Sequence, residues 1–146
     1  MPFRPKLTPE QIAVLYTVYK QAVYEVYDSG QIIELSIGEE SHLLNDLMRE
    51  YQAASWGLIT ASNPYSQCLA ESENRQRNQK LCKHLRKLNL PLFQAIGKDR
   101  RGDWIPEHSF FILGLERHQA IAIGQKFEQN AIVYGKLNQP ATLIWV

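Results

Sequence analysis

The 146-residue sequence has only two cysteines, Cys68 and Cys82, and no Cys-x-x-Cys. A disulfide framework or a zinc site needs more sulfur at closer spacing, so both are excluded and a reducing cytoplasm is the expected compartment. No window approaches 18 uninterrupted apolar residues, which excludes a membrane helix. The stretch Met1–Pro9 lacks the apolar core of a signal peptide. Also missing are the Gly-x-x-x-x-Gly-Lys-Ser/Thr and Gly-x-Gly-x-x-Gly nucleotide loops and the Gly-x-Ser-x-Gly elbow. The four histidines, at 42, 84, 108 and 118, have no metal-ligand spacing. The expectation is a soluble protein with no metal and no cofactor.

What is there suits one globular domain, residues 1–146, with 45% hydrophobic and 21% charged residues. The net charge of +1 conceals a division. Residues 1–70 carry four Lys/Arg against eight Asp/Glu, and residues 71–146 carry twelve against seven. Such a split marks an anionic partner or merely two solvated faces.

Thr8-Pro9-Glu10-Gln11 is a helix start with the elements of a capping box. Ile12, Leu15, Tyr16, Tyr19, Val23, Val26 and Tyr27 continue at three- and four-residue spacing, predicting a helix with a wide apolar face that ends near Gly30. Residues 31–37 alternate and predict a half-buried strand. A helix over about 40–52 follows, then a buried strand at 55–61 that Asn63-Pro64 must stop, because proline offers no N–H to a ladder. The spacing predicts a helix over about 72–89, strands at 90–96 and 109–113 joined by a long polar connection, and a helix over about 116–128. Strands at 131–135 and 141–146 close the chain as an edge hairpin. The order fits an α+β or α/β single domain, with a mixed sheet of about five or six strands covered by three or four helices.

The polar groups gather at few places. Thr60 and Asn63 end the central strand, and Asn74, Arg75 and Asn78 open the next helix. Projecting the leucine stripe of that helix backward leads to the two asparagines, so one face turns from apolar to amide. A strand-loop-helix unit returns the helix N-terminus to the carboxyl end of its strand, where ligands commonly sit. Asp103, Trp104, Glu107 and Ser109 belong to the long connection, and Gln129-Asn130 lie at a helix-to-strand junction. Adjacent strand residues point to opposite faces, so His108 cannot join Glu107 and Ser109 in a local triad. The cluster is either a network fixing the fold or the rim of a ligand cleft.

Four spaced motifs carry a resemblance. They are Ile59-Thr60-Ala61-x-Asn63-Pro64, Glu73-Asn74-Arg75-x-x-Asn78-x-x-Leu81, Gly97-x-Asp99-x-x-Gly102-x-Trp104-x-x-Glu107-x-Ser109-Phe110 and Phe127-x-Gln129-Asn130-Ala131. In this order they resemble the bacterial family catalogued as domain of unknown function 3293, over about residues 56–135. The resemblance implies a small cytoplasmic protein and singles out the same polar positions, but transfers no catalytic role. Ser62 stands where the family pattern suggests an aromatic, and Glu128 where glycine is more usual.

Three functions follow as expectations. The first is a binding module whose polar cleft takes a nucleotide, a short nucleic acid or another phosphate-bearing ligand. Arg75 would meet phosphate, Trp104 would stack, and the amides of Asn63, Asn74 and Gln129 would orient the ligand, with Thr60, Asn78, Ser109 and Asn130 as further ligand-binding candidates. The second is a metal-independent hydrolase or transferase with Glu107 or Asp103 as general base. The third is a protein-interaction domain, dimeric through the edge hairpin at 131–146.

Overall fold

The computed structural model describes residues 6–146. Met1 to Pro5, part of the stretch read for a signal peptide, lie outside the described residues. In chain order the elements are α1 (Pro9–Gln21), β1 (Ala22–Asp28), β2 (Gln31–Leu35), α2 (His42–Glu50), β3 (Ser55–Ile59), α3 (Glu71–Arg86), β4 (Leu92–Asp99), β5 (Glu107–Leu113), α4 (Arg117–Lys126), β6 (Ala131–Lys136) and β7 (Thr142–Trp145). The strands form one sheet in the order β2-β1-β4-β5-β3-β6-β7, antiparallel at every ladder. A parallel bridge between Ile37 and Ala141 ties the two outer ends together, so the sheet curls into a half-barrel. No helix among the described residues is long and apolar enough to cross a membrane.

Among the described residues the fold is α+β with four α-helices, as expected, but the sheet has seven strands. The additional strand is β1, which the sequence reading placed inside the first helix. Residues 22–28 satisfy both periods: Val23, Val26 and Tyr27 fit a helix, while Ala22, Tyr24 and Val26 alternate and are buried as a strand. A two-residue turn decides between them. Ser29 (φ 45°) and Gly30 (φ 87°) both adopt positive φ, as a hairpin turn of the primed kind requires, and pair Asp28 with Gln31. Gly30 therefore reverses a strand instead of ending a helix.

The capping box of α1 forms as expected, with Thr8 Oγ1 accepting from Gln11 N and Gln11 Oε1 accepting from Thr8 N. The wide buried face does not. No residue of α1 is buried, and Ile12, Val14, Tyr16 and Val18 are exposed. Only Leu15 and Tyr19 turn partly inward, Tyr19 setting its ring edge-on against Trp145.

Two apolar clusters lie on opposite faces of the sheet. On the inner face Leu44, Leu47 and Met48 of α2 pack with Trp56, Phe111, Leu113 and Val133, and with Leu35, Ile37 and Ala141 from both edges. On the outer face Leu81 and Leu85 of α3 and Ala120 and Ile123 of α4 cover Ile59, Phe110, Ile112 and Ile132. Trp56 lies flat on Gly135 of the neighbouring strand, where a Cβ would stand 2.5 Å from its ring, so only glycine fits there. The indole N–H of Trp56 has no hydrogen-bond partner among the described residues.

Candidate ligand-binding site

Helix α2 fills one end of the inner face, and small residues leave the other end open. The ladders place Tyr24 of β1 opposite Gly97 of β4, and Gly97 opposite Glu107 of β5. In the next row Val26, Ala95 and Ser109 align in the same way. Glycine between two large side chains lets the Tyr24 ring lie over the backbone, 3.2 Å from where a Cβ would be. Gly97 and Ser109, with Thr60, Ala22 and Ala131, floor a cavity of about 480 Å³. Tyr19, Tyr24, Trp104, Leu58, Val133 and Leu143 wall it, and Leu15 and Val18 of α1 lie along its mouth. The alternation of β5 sends Glu107 and Ser109 into this space and His108 to the other side, where its ring meets Gln94 and Phe110. No local triad forms.

One rim of the cavity is the turn after β3. Asn63 (φ 49°), Tyr65 (φ 50°) and Ser66 (φ 62°) all occupy the left-handed region, which costs on the order of 1–3 kcal/mol per non-glycine residue and must be held by its surroundings. The amides do this. Asn74 Oδ1 accepts from Asn63 N (2.9 Å) and its Nδ2 donates to Asn63 Oδ1 (2.8 Å), which also takes Leu69 N (3.0 Å). Asn78 Oδ1 accepts from Ala61 N and its Nδ2 donates to Ser62 Oγ, both at 2.9 Å. Gln129 Nε2 donates to the carbonyls of Ser62 and Phe127 (3.2 Å each), and Asn130 Nδ2 to Ser66 Oγ (2.8 Å). Thr60 Oγ1 joins the end of β3 to β5 by donating to His108 O (2.7 Å).

Arg77 locks the arrangement from α3. Its Nε donates to Ala61 O (2.6 Å), one terminal nitrogen donates to Phe127 O (2.7 Å), and the other pairs with Glu128 (3.4 Å). Glu128 has φ 59°, which is the physical reason glycine suits that position. Here the Arg77 pair compensates part of the strain.

Glu107 is the only charged side chain lining the cavity among the described residues. Burial pushes its carboxyl above the usual range, and the hydrogen bond from Asn63 Nδ2 to Oε1 (2.9 Å) pulls partly the other way. Burial, together with the nearby Glu107 carboxylate, pushes the Tyr19 phenol up to about 12, with the Ser66 hydroxyl opposing. Tyr24 is raised further by the same burial, with Tyr19 and Glu107 adding to it. Both phenols are neutral at physiological pH.

The structure therefore brings Thr60, Asn63, Trp104, Glu107, Ser109, Gln129 and Asn130 to one cavity. Asn74 and Asn78 stand behind it and shape the turn. Arg75 does not reach it: it points outward from α3, two-thirds exposed, beside Glu71 at 3.5 Å. Asp103 is exposed as well, its N–H bound to Asp99 Oδ2 (3.1 Å). The cavity thus offers a phosphate no Lys or Arg among the described residues. Sequence reasoning missed Arg77, which looked like its solvated neighbours. Tyr19 and Tyr24 belong to a set of tyrosines at 16, 19, 24 and 27 whose spacing suits either core packing or a stacking surface. The β1–β4 and β4–β5 ladders bring Tyr24 and Gly97 to the cavity, and α1 brings Tyr19. Among the described residues no three His, Cys, Asp or Glu side chains converge on a metal position.

A family model described as protein of unknown function (DUF3293) matches residues 59–132. It runs from the end of β3 to the start of β6 and includes every polar residue of the cavity named above, but neither α1 nor β1. No curated protein and no solved structure matches the chain.

Proposed function

The chain belongs to the DUF3293 family of proteins of unknown function, and from that premise we propose that it is a binding module for a small organic molecule held in the inner-face cavity. One observation carries the reading: small residues among aromatic and aliphatic ones leave a cavity of about 480 Å³ that is also lined by a set of hydrogen-bonding groups. Sites for small ligands have this composition and this size. The phosphate expected from the sequence has no place in the proposal, because the only charge lining the cavity among the described residues is that of Glu107. The proposed setting is a bacterial cytoplasm, where Cys68 and Cys82 stay free.

A thermal-shift screen of small metabolites tests the proposal, run on the native protein and on Val18→Trp. Val18 is 40% exposed and borders the cavity, so an indole there obstructs the mouth at little cost to folding. A ligand at about 100 times its Kd stabilises by roughly 2.7 kcal/mol, a shift of a few degrees for a domain of this size. Shifts confined to the native protein support the cavity. Equal shifts in Val18→Trp place binding elsewhere.

The raised carboxyl of Glu107 also favours a second reading, in which the same residue serves as general acid or base on the bound molecule. In that case Glu107→Gln abolishes turnover and leaves binding of a neutral ligand intact. Asp103 is not retained as a candidate, because it lies on the exposed connection.

A further inference from the structure

Resting on the cavity being the ligand site, we infer that its ligand carries a positively charged nitrogen, an amine or alkylated ammonium, which pairs with Glu107 inside the ring of Tyr19, Tyr24 and Trp104. The charge balance points there. Glu107 carries the cavity's charge, its Oε1 is occupied by Asn63 Nδ2, and Oε2 has no partner among the described residues. Gln129, 8% exposed, repeats the pattern. Its Nε2 is committed to two carbonyls, so its Oε1 remains as an acceptor without a partner among the described residues. Both groups await a donor, and neither can serve an anion.

The walls agree with this. Tyrosine and tryptophan faces carry negative potential and attract a cation within about 6 Å of the ring centroid, more strongly where water is excluded. Neutral phenols keep that character without adding a second negative charge to compete with the carboxylate. The carboxylate alone pays for its burial, since a paired charge is tolerated where an isolated one is not. A bound cation supplies the missing partner. Its apolar remainder would lie against Leu58, Val133 and Leu143, which also line the cavity.

Three probes with one skeleton separate the possibilities: 2-phenylethylamine, 2-phenylethanol and phenylacetate. Binding would be measured by titration calorimetry at pH 7.5 on the native protein, Glu107→Gln and Val18→Trp. The expected result is at least tenfold tighter binding of the amine than of the alcohol, with phenylacetate weakest. Glu107→Gln should erase the amine's advantage while the alcohol keeps its affinity within about threefold, and Val18→Trp should weaken both. If the alcohol or phenylacetate matches the amine in the native protein, and Val18→Trp still blocks them, the cavity stands and the cationic ligand is wrong. If none of the three binds at millimolar concentration, the cavity reading falls as well.

Discussion

Glu107 sits in the cavity against its own electrostatics. Its folded-state pKa is raised by burial, so its contribution to stability is fully present below the ordinary carboxylate range and is lost as pH rises through the raised value. Above that raised value the folded protein carries a destabilising ionised group. Glu107→Gln keeps an acceptor for Asn63 and removes the charge. It should therefore melt a few degrees above the native protein at pH 7.5, and the gap should close as pH falls toward 4. A variant that melts lower at every pH would make Glu107 structural. The amides separate in the same way. Asn78→Ala strands the buried Ala61 N–H and should cost about 1–3 kcal/mol, several degrees of Tm. Arg75→Ala, at an exposed i,i+4 pair, should stay within about 0.5 kcal/mol of native. At this scale the sequence was partly legible. Thr60, Asn63 and Gln129 could be found because polar residues at strand ends and helix starts need partners. Arg75 and Arg77 differ by less than a helical turn, and nothing local says which one turns inward.

The turns between elements hold the strain, and they also explain where sequence patterning misled. In residues 22–28 helical and strand periods overlap, and only the Ser29-Gly30 turn and the partner strand β4 resolve them. The same dependence on partners governs the α4–β6 junction. Glu128 occupies left-handed backbone, which costs a non-glycine residue roughly 1–2 kcal/mol. Its part-buried pair with Arg77, at 3.4 Å, returns about 1 kcal/mol. Glu128→Gly should thus be as stable as native or more so, and Glu128→Ala less stable by up to about 1 kcal/mol, since it keeps the strain and loses the pair. Chemical denaturation of the three proteins reads the order directly. Glu128→Gly falling below the native protein would show that the ion pair outweighs the backbone strain.

Strand order could not be read from the chain because its ladders join distant segments: β1 pairs with β4, and β3 sits between β5 and β6. The cavity is a product of that order, since Tyr24, Gly97 and Glu107 meet only when β1, β4 and β5 lie side by side. Its remaining wall is α1, which differs from the other three α-helices among the described residues in burying none of its own. A capping box and the partly inward Leu15 and Tyr19 hold it in place. Segments with few buried contacts open well below the global unfolding free energy. Hydrogen exchange on the ligand-free protein should therefore find the α1 amides at least roughly tenfold less protected than those of β5, whose residues 109–113 are all buried. Leu15, Val18 and Tyr19 line the cavity, so a ligand that fills it should slow exchange in α1 and in the turn at 63–66 more than anywhere else. Uniform slowing across the sheet would instead mean that the ligand stabilises the fold from another surface. Protection of α1 equal to that of β5 before any ligand is added would mean that the helix is an integral wall, and that entry requires the turn at 63–66 to move.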